Sequence, residues 1–184
     1  MKCYLCGAKA SIKQQKNRSI CDRCFSRLIE KRIRKFTRLN KIFKPKDRIL
    51  VIGEINKYLI KNITGEMPIK LFFRANINKD FVKKNKINKI LIEYTLDDEI
   101  NSFLTSLFKG KKIKRLDKKH IKLLKPVTDD EAKEFARINR LRFKPNKKDP
   151  FIQILIDELH QNHPNAKYTL LNNIDDLKKI SIVK

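Results

Sequence analysis

Arg48-Ile49-Leu50-Val51-Ile52-Gly53 is an apolar run of strand length, followed at once by Glu54 to Ile63, which reads as a short helix closed near Gly65. Such a run predicts a strand buried on both faces, the habit of parallel sheets flanked by helices. Lys89-Ile90-Leu91-Ile92-Glu93-Tyr94 is a second run of the same kind. Between them lie Ile69 to Phe73, apolar and ambiguous between strand and helix, and then a helical pattern through Lys84. Downstream, Thr95-x-x-Asp98 offers a capping-box start to a helix carrying Ile100, Phe103, Leu104, Leu107 and Phe108, with a stop at Gly110. Thr128-x-x-Glu131 opens another helix, and Asp149-Pro150 opens one that ends at His163-Pro164. This alternation predicts a small α/β core with a parallel sheet.

Upstream of the first strand, Cys3-x-x-Cys6 and Cys21-x-x-Cys24 use all four cysteines of the chain, with fourteen residues between the pairs. Two tight thiolate pairs at this spacing match the tetrahedral ligand set of a structural Zn2+ ribbon. Gly7 follows the first pair, where a turn tucked under a metal favours a residue without a side chain. Two disulfides are the first alternative, but Met1-Lys2-Cys3-Tyr4-Leu5 shows no apolar signal segment of a secreted chain. An iron–sulfur cluster is the second, and paired thiolates at ribbon spacing beside a helix favour zinc over it. Folding of so small a unit is coupled to its metal.

Between ribbon and strand, Phe25, Leu28, Ile29, Ile33, Phe36 and Leu39 recur at three- and four-residue steps, so they share one helix face. Arg27, Lys31, Arg34, Lys35 and Arg38 fall on the other. A bare solvated face is the plain reading of such cations; directly after a zinc ribbon, contact with nucleic-acid phosphates is the better one. Composition points the same way: 184 residues carry 45 Lys and Arg against 20 Asp and Glu, a formal charge of +25. Residues 1 to 48 alone hold sixteen of those cations and three acids, Asp22, Glu30 and Asp47. An excess of this size predicts attraction to a polyanion. No stretch reaches the ~20 apolar residues of a membrane span, so a cytoplasmic protein with no membrane partner is expected. The Lys44-Pro45-Lys46-Asp47 joint divides the chain into residues 1–46, ribbon and basic helix, and residues 47–184, the α/β domain.

The order of these landmarks resembles the tRNA 2-thiolation ATP-pyrophosphatases: the ribbon, Ile29-Glu30-Lys31-Arg32-Ile33-Arg34, the strand Ile49 to Ile52, Leu96-Asp97-Asp98-Glu99, Phe108-Lys109-Gly110, Lys125-Pro126, and His163-Pro164-Asn165-Ala166-Lys167-Tyr168. The resemblance implies a PP-loop-like domain of the adenine nucleotide alpha hydrolase-like type, truncated in its nucleotide lobe. The departures carry as much weight. Where the family has Ser-Gly-Gly-x-Asp-Ser, this chain has Gly53-Glu54-Ile55-Asn56-Lys57, with a Glu where backbone amides would cradle phosphate. The positions of the family's second cysteine pair correspond to Glu66 and Ile69, and no cysteine follows Cys24. A pseudoenzyme is therefore expected, without catalytic residues. The resemblance further implies an accessory subunit in wobble-uridine 2-thiolation, with tRNA and a catalytic thiolation paralogue as partners. Asp97, Asp98 and Glu99 would persist as a vestigial family motif, in helix capping and packing, and Arg27, Lys31, Arg34, Lys35 and Arg38 would hold tRNA. A free-standing zinc-containing RNA-binding protein is the second reading, and an enzyme using Asp97 and Asp98 with a metal is the third. His120, His160 and His163 lack acidic or cysteine neighbours at ligand spacing, and Phe72, Phe73 and Tyr94 read as core rather than base-stacking residues.

Overall fold

The computed structural model describes residues 1–13, 18–110, 117, 119–163 and 165–180; Pro164, expected at a helix end, lies outside them. A short antiparallel hairpin, β1 (Ile12–Lys13) and β2 (Ser19–Ile20), leads into helix α1 (Asp22–Leu39). Then follow β3 (Arg48–Val51), α2 (Glu54–Thr64), β4 (Lys70–Phe73), α3 (Lys79–Lys84), β5 (Lys89–Ile92), α4 (Leu96–Phe108), β6 (His120–Lys122), α5 (Asp129–Ile138), α6 (Pro150–Asn162) and α7 (Ala166–Ile180). Ile69 to Phe73, ambiguous in sequence, becomes the edge strand β4, paired in parallel with β3 so that Leu50 meets Phe72.

The sheet has the order β4-β3-β5-β6 and every pairing is parallel. Because side chains alternate along a strand, the two faces have separate cores. Ile49, Val51 and Leu91 share one cluster with Ile29 and Ile33 of α1, Leu59 of α2 and Phe135 of α5. Leu50 and Ile90, on the opposite face, meet Ile87 and the partly buried Phe81 and Val82 of α3. A third cluster, Leu96, Ile100, Ile152, Ile156 and Ile174, binds α4, α6 and α7 into a helical layer. Full burial of each such side chain contributes roughly 1.5–3 kcal/mol, which is why short strands suffice here.

The local signals in the sequence hold at the helix starts. Thr95 with Asp98 and Thr128 with Glu131 both form complete capping boxes, and Asn78 and Asp149 cap α3 and α6 through their side chains. Two expectations need correction. Leu39 was placed on the apolar stripe of α1, yet it is 67% exposed, because the helix end extends past the layer it packs on. Phe73 was read as core, yet it is 44% exposed, since it ends an edge strand. Beyond these, β6 and α7 complete the fold without a counterpart in the sequence reading. Among the described residues, no helix is long and apolar enough to cross a membrane.

Candidate metal centre and nucleic-acid surface

The four cysteines converge from two kinds of local structure. Cys3 and Cys6 sit on a tight turn in which Gly7 N donates to Cys3 O at 2.8 Å and Cys3 N to Ala8 O at 2.7 Å. Gly7 makes that turn with φ 74°, a left-handed conformation that favours glycine. Cys21 is the N-cap of α1 and Cys24 lies in its first turn, where the helix dipole favours thiolate. All four Sγ atoms lie within 4.8 Å of one another, with Cys6 and Cys21 at 3.6 Å. Thiolates at the corners of a tetrahedron around one ion, each about 2.3 Å from it, stand about 3.8 Å apart. The cluster therefore fits a single metal ion. Burial opposes ionisation of Cys3, but N–H groups of Cys21, Leu5 and Cys6 bring its pKa down to about 6. Side-chain hydrogen bonding with Cys6 and Cys21, with burial adding to it, pushes Cys24 up to about 12. Sulfurs packed this closely need a cation to be thiolates together.

Arg27, Lys31, Arg34, Lys35 and Arg38 are all exposed, and all five line one groove of about 930 Å³ along α1, joined by Lys41. Phe43, Ile63 and Met67, half-buried where the cations are exposed, form a deeper apolar part of the same lining, its floor. Glu30 is the one acid in this lining, and Arg34 pairs with it at 3.1 Å. Arg32 points elsewhere: its Nη1 donates to Glu131 at 2.7 Å and to the Tyr168 hydroxyl at 2.9 Å, pinning α1 to α5 and α7. Burial works against the Arg32 charge, and Glu131 more than compensates, so its pKa is raised.

In an open parallel sheet, ligands bind beyond the carboxyl ends of the strands where strand order reverses, here between β3 and β5. Gly53 follows β3 with φ 88°, and a Cβ there would overlap the Glu93 side chain that follows β5. Glu93 Oε1 accepts from Ile55 N at 3.0 Å in the first turn of α2. Burial raises the Glu93 pKa, and the Ile55 and Asn56 amides act in the opposite direction. The sequence pointed to Glu54 as the acid in this turn; the structure puts Glu93 there, while Glu54 accepts from Arg142 N at 2.6 Å.

The three consecutive acids opening α4 are buried, and each meets a lysine. Asp97 lies 2.7 Å from Lys167, off hydrogen-bond alignment, and its other oxygen accepts from Asp129 N at 2.6 Å. Asp98 accepts from Thr95 N at 2.8 Å and lies 3.0 Å from Lys148, which also reaches Asp129 at 2.5 Å. Glu99 pairs with Lys122 at 2.5 Å and with Lys178. Burial opposes the Glu99 charge, but Lys122 and Lys178 outweigh it and its pKa is lowered. For Lys148 and Lys167 the paired carboxylates likewise outweigh burial, and both pKa values are raised. Helix capping and packing of these acids were legible; their lysine partners were not. Tyr94, read as core, is half-buried under Lys122, 4.1 Å from its ring, and burial pushes its pKa up to about 12. Among the described residues, the four cysteines are the one group of His, Cys, Asp and Glu with metal-holding geometry.

A four-cysteine cluster joined through a long helix to a parallel four-stranded sheet is the class this fold and site define. No protein-family model and no curated protein matches the sequence. Among solved structures, the U34-tRNA thiolase NcsA from Methanococcus maripaludis with its 4Fe-4S cluster is similar, with a TM-score of 0.74. The match covers 96% of this chain and 87% of that one at 17% sequence identity. At that identity the likeness establishes a shared α/β fold.

Proposed function

We propose that this chain is a non-catalytic accessory subunit of tRNA wobble-uridine 2-thiolation, which holds tRNA and an active ATP-pyrophosphatase paralogue. The observation that carries the reading is Glu93. Its carboxylate accepts the α2 amide at the switch point of the sheet, where a nucleotide phosphate would otherwise be received. A second anion there meets charge repulsion and an amide already engaged. Asp97, Asp98 and Glu99 are likewise neutralised by lysines, and no cysteine beyond the N-terminal four is present to handle sulfur. The likeness of fold to a tRNA thiolase supports the pathway, and the basic groove on α1 supports tRNA as the ligand.

The ribbon cysteines, in this reading, hold a structural Zn2+, which supplies folding energy to residues around the hairpin. A cubane cluster would spread its four thiolates further apart than a mononuclear site does, and the observed Sγ separations suit the latter. Purified protein should carry one zinc per chain and no iron; stoichiometric iron with acid-labile sulfide would refute the assignment.

A free-standing RNA-binding role is the second reading, favoured by a basic groove that is complete within one chain. Deletion separates the two. Loss of wobble 2-thiouridine from tRNA on deletion, restored by the wild-type chain, supports the accessory subunit. Unchanged thiolation with retained RNA binding supports the second reading instead.

A further inference from the structure

The α1 groove differs from a flat cationic face. Its rim is a file of cations at helical spacing, from Arg27 to Arg38, about 16 Å at about 1.5 Å per residue. Its floor is apolar: Phe43, Ile63 and Met67 line the same space and keep part of their surface exposed. Phosphates satisfy the rim but gain nothing from the floor, where they would lose water without a partner. A base has the opposite chemistry, an apolar π face that a ring and a thioether receive well.

We infer that this groove binds an unpaired stretch of RNA, a few nucleotides long, with phosphates on the cationic rim and at least one base laid against Phe43 and Met67. The inference rests on the reading of α1 as the tRNA-binding surface, and it narrows the ligand from tRNA as a whole to a single-stranded segment of it. A duplex keeps its bases stacked inward and offers only its backbone, so it engages the rim alone. The volume of about 930 Å³ is ample for a splayed nucleotide and larger than backbone contact along one wall requires.

The test uses the full chain, loaded with zinc, and two probes of equal phosphate count: a short oligouridylate and a blunt RNA duplex. The oligouridylate should bind more tightly than the duplex by about tenfold, the order expected for one base–aromatic contact. Phe43→Leu, which keeps bulk but removes the ring, and Met67→Ala should erase most of that preference and leave duplex affinity within about twofold. Both variants are first checked for wild-type zinc content and melting temperature. Equal loss for both probes, or no loss for either, overturns the inference. So does competition by a glutamate peptide of matching charge as effective as that by oligouridylate, since the rim would then be reading charge alone. Charge reversal at Lys31 and Lys35 probes the underlying reading separately: if it leaves both affinities unchanged, RNA binds elsewhere and the tRNA surface itself is misplaced.

Discussion

Lys167→Met is the substitution that probes the interior most sharply. The Lys167 and Asp97 side chains are 5% and 2% exposed and stand 2.7 Å apart. Methionine keeps the length and apolar stem of lysine but strands the Asp97 carboxylate, whose remaining partner is the Asp129 amide. The second acid near Lys167, Asp157 at 3.4 Å, is half exposed, so its loss of a partner costs little. Removing one member of a buried pair costs about 3–5 kcal/mol, because the other charge stays desolvated. With a urea slope on the order of 2 kcal/mol per molar for a domain of this size, the midpoint should fall by about 2 M at neutral pH. Asp97→Asn in the same chain removes the stranded charge and keeps an acceptor for Asp129 N, so the double variant should recover most of the loss. Urea denaturation followed by circular dichroism reads both. A single variant that loses less than about 1 kcal/mol, or a double variant no better than the single, refutes the idea that a buried charge pair joins α4 to α7.

Other expectations follow from the same geometry. Cys3→Ser combined with Cys21→Ser should release the metal and unfold the hairpin around it while leaving the sheet intact, as read by metal analysis and amide exchange; retained stoichiometric zinc contradicts the four-thiolate site. RNA affinity should fall with salt at a log–log slope of about −3.5 if all five α1 cations meet phosphates of a single strand, and reversal of Arg27, Lys31 and Lys35 should reduce it to about −1.4; an unaltered slope moves the contact elsewhere. Glu99, with its folded pKa below the unfolded value, contributes stability that is present above the unfolded pKa and lost as pH falls through the folded one. Wild type and Glu99→Gln should therefore differ in urea midpoint at pH 7 and converge in acid; a constant difference across pH would show that the lysine pairs do not set it. Gly53→Ala should be strongly destabilising, since it combines φ 88° with overlap on Glu93, and a melting temperature within a degree or two of wild type would count against that packing.

Much of the fold was readable because its determinants are local. Buried strands announce themselves as apolar runs, and capping boxes such as Thr95 to Asp98 close within four residues. The strand β6 stayed hidden because three residues, His120 to Lys122, carry no apolar periodicity, whereas α7 was open to reading: Leu170, Leu171, Ile174 and Leu177 stand at helical spacing, with Asn172, Asn173 and Asp176 on the exposed side. Pairing is a tertiary property: nothing in a chain with 45 Lys and Arg distinguishes Lys148 from its neighbours, and the family-like stretch that contains Lys167 does not reveal Asp97 as its partner. The same limit explains Glu54 and Glu93. Sequence places Glu54 in the turn after β3, but the side chain that reaches the Ile55 amide of α2 comes from Glu93, just past the adjacent strand β5, 38 residues from Ile55 in the chain and next door in the sheet. The basic groove was half legible: helical spacing put the cations together, whereas the apolar floor draws Phe43 from after α1 and Ile63 and Met67 from in and after α2.

We propose that the chain serves tRNA thiolation without performing it. The most direct test is the 2-thiouridine content of wobble positions in tRNA from cells lacking the chain, re-supplied with wild type or with the Arg27, Lys31 and Lys35 charge reversals. The account predicts loss of the thiolated nucleoside on deletion, recovery with wild type and poor recovery with the groove variant, while the purified chain alone consumes no ATP and thiolates nothing. Normal 2-thiouridine in the deletion, or thiolation by the purified chain on its own, would contradict it.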